Sequence, residues 1–157
     1  SVLDPREKVD VAGVQVELKL LSHPGGAYAY RFSHEGKVFV FATDGEYQKM
    51  DLENTAHFVQ FFQGADMLVF DSQYTFEAVI DAKRDWGHST PIMGAELAYR
   101  ADVKRLALFH HDPMATDEQL WKAVADAYNH LTFKGRSTGV YKQIEVLLAH
   151  EGLSVDL

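Results

Sequence analysis

Four apolar runs, each too short to be a helix, lead almost directly into a histidine or an aspartate. Val14 to Leu20 runs into His23, Val38 to Phe41 into Asp44, Met67 to Phe70 into Asp71, and Leu106 to Phe109 into His110. In the first, Val14, Val16, Leu18 and Leu20 alternate with Gln15, Glu17 and Lys19, the period of a strand buried on one face. Val38-Phe39-Val40-Phe41 is apolar throughout, which predicts a strand covered on both faces. A chain built this way must form a sheet whose strand ends carry its chemistry.

The segments between these runs read as connections of known type. His34-Glu35-Gly36 between Ala27–Ser33 and Lys37–Ala42 predicts a hairpin. Glu53 to Gly64, with Ala56, Val59, Phe61 and Phe62 at helical spacing, predicts a helix that stops at glycine. Thr90-Pro91 is an N-cap followed by a first-turn proline, opening a helix that runs to about Ala101. Thr116 and Gln119 make a capping box, with Asp117 and Glu118 adding negative charge at the positive helix end. Ile144–Ala149 and Leu153–Val155 are expected to close the chain as a β pair. Strands alternating with helices, without repeats or a linker, predict one α/β domain over residues 1–157.

Composition narrows the chemistry. With 46% hydrophobic and 24% charged residues among 157, the chain has material for a core. It has no apolar run of the ~18 to 20 residues that cross a bilayer and no signal-peptide pattern at its start, so no membrane partner and a cytoplasmic location are expected. The absence of cysteine leaves histidine and carboxylate as metal ligands, a set that suits zinc, manganese or iron. A net charge of −8 disfavours nucleic acid as a partner, because phosphate-backbone affinity rests on clustered Lys and Arg, and favours a small substrate. The basic stretch Lys134 to Lys142 is expected to be a solvated loop.

A histidine after a strand is more often structural than a ligand, and an aspartate there often caps a turn. Context raises the interest of these. His23 precedes Pro24-Gly25-Gly26, where the backbone permits close approach, and a carboxylate such as Asp44 at the edge of an apolar core must be paired, solvated or bound to metal. Asp71 has the same setting and suits the orientation of a histidine. His34, His57, His130 and His150 are expected at the surface or in packing, and His111 and Asp112 have no assigned role.

The fragments LSHPGG, FATDGEY, DWGHST and LFHHDP, in that order, resemble the C-terminal half of a metallo-β-lactamase-fold hydrolase, closest to the branch containing tRNase Z and related phosphodiesterases. The resemblance covers almost the whole chain and implies half of a four-layer αββα sandwich. It implies two divalent metal ions, with His23 binding one, His110 the other and Asp44 bridging both. Gly87-His88-Ser89-Thr90 looks like the branch's His-Ser-Thr motif, so His88 is the implied catalytic residue, with Asp71 as its acidic partner. Ser89 and Thr90, at a helix start, suit a phosphate, although N-capping is their more ordinary role. The implied reaction is metal-assisted hydrolysis of a phosphodiester, small and cyclic or linear, since the long insertion of tRNA-clamping relatives is absent between His23 and Asp44.

The family's leading motif, His-x-His-x-Asp-His, occurs nowhere in the chain, which starts without Met and leads straight into a strand. The chain is therefore expected to be a fragment with an incomplete metal site, inactive alone, whose partners are the N-terminal half of the same protein and a second copy in a homodimer. The alternatives are a non-catalytic interaction or regulatory half-domain, and a thioester or lactam hydrolase on the same fold.

Overall fold

The computed structural model of the chain describes residues 7–75 and 86–157. Seven strands form one mixed sheet in sequential order: β1 (Val9–Val11), β2 (Val14–Leu21), β3 (Ala27–His34), β4 (Lys37–Ala42), β5 (Met67–Asp71), β6 (Arg105–Phe109) and β7 (Glu145–Leu148). The first four are antiparallel; β4 to β7 are parallel. Parallel neighbours need crossovers, supplied by α1 (Leu52–Phe62), α2 (Pro91–Arg100) and α3 (Asp117–Thr138).

The turns follow the residues available. β3 and β4 pair out to His34 opposite Lys37, so the turn is the two residues Glu35-Gly36, both at positive φ, the geometry that matches strand twist. Ala12-Gly13 repeats this between β1 and β2, a hairpin the sequence reading did not separate from the strand that follows. α1 is capped by Asp51 and stops before Gly64 at φ 65. Thr90 and the Thr116–Gln119 capping box open α2 and α3 as expected.

Register sorts the sheet into two faces. Glu17, Arg31, Val40, Leu68, Leu106 and Val146 lie in one row across it, on the side where the three described helices pack. The buried helical residues Phe62, Leu97, Val124, Ala127 and Leu131 fill that side together with Phe70 and Leu108. The other face is a second apolar row: Leu18, Tyr30, Phe41, Val69, Ala107 and Leu147. Among the described residues its only cover is the C-terminal segment, through Ala149 and Val155, so Phe39 and Phe41 are half-buried rather than enclosed as their sequence predicted. Leu20, on the same face, is 59% exposed, while Leu21 is buried against the helices.

Two further expectations change. Leu153–Val155 forms no strand: after the turn at Glu151-Gly152 the chain folds back so that Val155 packs on the sheet face, and Arg105 Nη1 holds the Asp156 carbonyl at 2.7 Å. Of the basic stretch Lys134 to Lys142, the first part to Thr138 is the last turn of the α3 helix, where Lys134 pairs with Glu96 on α2; from Gly139 onward it is an exposed loop, as expected, tied back by Lys142 to Asp102. No helix among the described residues is long and apolar enough to cross a membrane.

Candidate active site

Strands β2, β4, β5 and β6 run in the same direction, so their C-terminal ends meet at one edge of the sheet. This edge is where α/β folds present ligand-binding side chains. His23, Asp44, Asp71 and His110 all arrive there, and the loop into α2 adds His88. The five residues named from sequence therefore converge.

Asp71 organises the group. It is fully buried, and its carboxylate accepts four hydrogen bonds: Oδ1 from the backbone N–H of Gln73 (3.1 Å) and Ser89 (3.2 Å), Oδ2 from the N–H of Asp44 (3.0 Å) and from His88 Nδ1 (2.8 Å). With both oxygens occupied by donors, Nδ1 of His88 carries the proton and Nε2 is left for the site. A buried carboxylate is tolerable only with such compensation.

Asp44 and His110 both stand just past strand ends with left-handed backbone, φ 59 and φ 55. That turn aims their side chains at each other: Asp44 Oδ1 lies 3.4 Å from His110 Nε2, and Asp44 Oδ2 accepts from Thr43 Oγ1 at 2.9 Å. The His110 ring stacks on His88, centroids 4.9 Å apart, and His23 meets His88 edge-on at 5.4 Å. His23 is fixed by its own turn, in which Gly26 N–H donates to the His23 carbonyl and Gly25 N–H to Nδ1.

Two triads of donor atoms come within 4.8 Å of one another, His23, Asp44 and His88 in one and Asp71, His88 and His110 in the other. An ion bonded at about 2.1 Å places opposed ligands about 4.2 Å apart, so the His23, Asp44 and His88 donors fit a divalent ion after side-chain adjustment, whereas in the second set both Asp71 oxygens are already occupied by hydrogen-bond donors. His23 and His110 share no triad, in keeping with ligands of different ions. Because Nδ1 of His88 is committed to Asp71, that ring can serve one ion at most.

Several residues the sequence reading passed over shape the site. Glu46 is buried and accepts from Gly87 N–H at 3.2 Å, while Ser89 Oγ donates to the Gly45 carbonyl, so the Asp44 loop clamps the His88 loop. Gly87, at φ 88, has no room for a side chain: a Cβ there would collide with the His23 ring and lie 2.8 Å from Pro24 Cδ. Tyr74 N–H donates to the Ser89 carbonyl at 3.1 Å, and its ring packs edge-on against His88; burial, then Asp112 and Asp71, raise its pKa. Tyr47 is buried beneath the loop with no hydrogen-bond partner for its hydroxyl among the described residues, and burial pushes its pKa upward. Glu46 lay inside a quoted fragment, but nothing in its sequence context signals burial.

Ser89 and Thr90 are fully buried. Thr90 is the N-cap, and Ser89 makes the loop clamp, so neither offers its hydroxyl to a ligand. His111 ties the ends of three strands, with Nδ1 3.3 Å from Ser72 Oγ and Nε2 3.3 Å from the Ala149 carbonyl, and burial lowers its pKa. His34, His57, His130 and His150 lie outside the site, contacting the Gly13 carbonyl, the Phe58 ring, Glu96 and the Glu151 carbonyl respectively.

The fold has solved counterparts. The metallo-β-lactamase fold protein YhfI from Bacillus subtilis superposes with a TM-score of 0.74 at 19% identity, over 98% of this chain and 54% of that one. The chain has the metallo-β-lactamase fold. Human tRNase Z, short form, matches with a TM-score of 0.61 at 19% identity, over 94% of this chain and 45% of that one. Zn(2+)-bound PqqB from Methylobacterium extorquens gives 0.63 at 17%, over 99% and 55%. No family model matches the chain. Among curated relatives, ribonuclease Z of Metallosphaera sedula is 52% identical over 48 residues, 31% of this chain and 16% of that protein. Ribonuclease Z of Picrophilus torridus is 40% identical over 63 residues, 40% and 20%. The chain spans about half of those structures, and the matched segments a fifth or less of the ribonuclease Z relatives.

Proposed function

We propose that residues 1–157 are the C-terminal half of a metal-dependent phosphodiester hydrolase and supply part of its active site. The observation that carries this reading is the buried Asp71–His88 pair set among His23, Asp44 and His110 at one sheet edge. His23 and Asp44 are assigned to one divalent ion and His110 to a second that Asp44 also approaches, with zinc the first choice and manganese or iron the alternatives. Divalent ions held there supply Lewis-acid polarisation of a phosphoryl oxygen and make water acidic. Asp71 fixes the tautomer of His88, so that Nε2 faces the reacting group and, once protonated, donates to the phosphoryl or leaving oxygen.

With His88 Nε2 kept for the reacting group and Asp71 committed to His88, this chain supplies His23, Asp44 and His110 as ligands, fewer than two ions need. Further ligands would come from the other half, which would also cover the apolar face carrying Phe39 and Phe41. Alone, the chain is expected to bind metal weakly and turn over little, and to associate with that half or with a second copy.

The substrate class is a phosphodiester. The acidic charge favours a small one, while the relatives named ribonuclease Z favour RNA, and this second reading keeps the same site and roles. The test is metal content and hydrolysis of bis(p-nitrophenyl) phosphate and of an RNA oligonucleotide, on this chain and on its mixture with the other half. Activity confined to the mixture and lost in His88→Ala supports the proposal. Turnover of thioesters or lactams that survives His88→Ala, or metal and activity absent from both preparations, would replace it with the acyl-hydrolase or interaction-module reading.

A further inference from the structure

Next to the His88 centre, a cavity of about 470 Å³ opens between the end of β5, the start of α2 and the first turns of α3. Tyr74 is the shared wall: it lines the cavity and places its ring edge-on to His88, centroids 5.7 Å apart. A group in the cavity therefore lies one side chain away from the proposed reaction centre.

Its lining has a definite chemistry. Ile92, Met114, Ala115, Leu120 and Ala123 make it largely apolar. Gln73 and Gln119 supply amides; the Gln119 oxygen accepts from Thr116 N–H in the capping box, which leaves its NH2 group as a donor. Asp112 and Asp126 supply carboxylates, and among the described lining residues the one cation is Lys122, which pairs with Asp126 at 2.6 Å. Two carboxylates against one ammonium among these residues disfavour a second phosphate. Apolar walls with amide and carboxylate groups match a flat, uncharged heterocycle with donors and acceptors on its edges, whereas an aliphatic chain would leave those groups unanswered.

We propose that this cavity is the subsite for the uncharged ester group of the diester, taking a single nucleobase or a ring of that size while the phosphate lies at His88. The assignment rests on the phosphodiesterase reading and sharpens it: one base is admitted, and the run of further phosphates in a nucleic-acid strand is turned away by Asp112 and Asp126.

The test uses methyl NMR of the chain, with exposed Met114 as the reporter in the cavity and buried Met67, on the far sheet face, as the control. Titration with adenosine or uridine, which carry no phosphate, should shift Met114 saturably and leave Met67 unmoved; inorganic phosphate should leave Met114 unmoved. Ala115→Trp, which fills the cavity, should weaken the nucleoside response about tenfold, and Ile92→Trp should do the same if the first variant fails to fold. A Met114 signal indifferent to nucleosides overturns the subsite, as does one moved equally by phosphate. Hydrolysis of bis(p-nitrophenyl) phosphate by the metal-loaded complex of both halves is scored separately. Turnover without nucleoside binding removes the subsite and leaves the phosphodiesterase reading intact. Nucleoside binding with no phosphodiester turnover overturns that reading and the ester-group role with it. Hydrolysis of a dinucleotide in preference to a longer oligonucleotide supports the small-diester source of the base, and the reverse order overturns the exclusion of a strand.

Discussion

Replacing Asp71 with asparagine isolates what the buried carboxylate does, because shape is kept and only one acceptor becomes a donor. The two oxygens of Asp71 each accept two hydrogen bonds. In either amide orientation the asparagine keeps one pair and turns its NH2 group on the other. With the oxygen kept on Gln73 and Ser89, the NH2 opposes Asp44 N–H and His88 Nδ1. Loss of two bonds to a charged acceptor costs about 3 to 6 kcal/mol at ~1.5 to 3 kcal/mol each. His88 can recover one by shifting its proton to Nε2, so that Nδ1 accepts from the amide, which reduces the cost to about 1.5 to 3 kcal/mol. That shift inverts what His88 presents to the site, a donor where the wild type offers a lone pair. Urea unfolding of both proteins gives the stability difference, and ¹⁵N chemical shifts of the imidazole give the tautomer. A loss below ~1 kcal/mol with the Nδ1 proton retained would refute the claim that Asp71 fixes His88.

Gly87→Ala should displace His23, since its Cβ overlaps that ring and the residue sits at φ 88; the expected result is zinc affinity reduced about tenfold or more by titration, with the fold retained by circular dichroism. Hydrogen bonds from His130 and then Lys134 hold the Glu96 carboxyl below the usual carboxylate range. A depressed folded pKa contributes stability above the unfolded value of about 4.3 and loses it as pH falls through the folded one, so Glu96→Gln should cost ~1 to 2 kcal/mol at neutral pH and progressively less in urea unfolding below about pH 4. At His110, left-handed backbone predicts that His110→Gly is more stable than His110→Ala by about 1 kcal/mol in thermal unfolding, while both lose metal affinity; equal stabilities would remove the strain argument.

The parts legible in the sequence were those governed by local rules. Thr116 with Gln119, Thr90 with Pro91, and Gly36 after His34-Glu35 each satisfy backbone groups within a few residues, and the structure realises each as read. What failed depends on contacts distant in sequence. Leu153–Val155 has the composition of a strand, but β7 is the edge, and Val155 gains more by covering Met67 and Val69 than by pairing. Thr55 of α1, which the sequence reading did not address, is buried with its hydroxyl on both the Asp51 carbonyl and Arg100 of α2. Lys134 to Thr138 read as a loop from their charge, but Glu96 and the Tyr99 ring give Lys134 a partner that extends α3.

The site was legible as residue types in order and illegible as geometry. His23, Asp44 and His110 stood out because apolar runs lead into them, and the resemblance carried by their fragments and by Gly87-His88-Ser89-Thr90 supplied His88 and the implied roles. Nothing local says that Asp44 and His110 turn left-handed immediately after their strands, or that Asp71 is the point on which the others converge. Aspartate and histidine both enter that conformation more readily than most residues. At His110 the left-handed turn brings one ring to Asp44 and His88 at once. The left-handed turn is thus the local feature that carries His110 from the end of β6 to Asp44 and His88, and it could be seen only once the strands were in place.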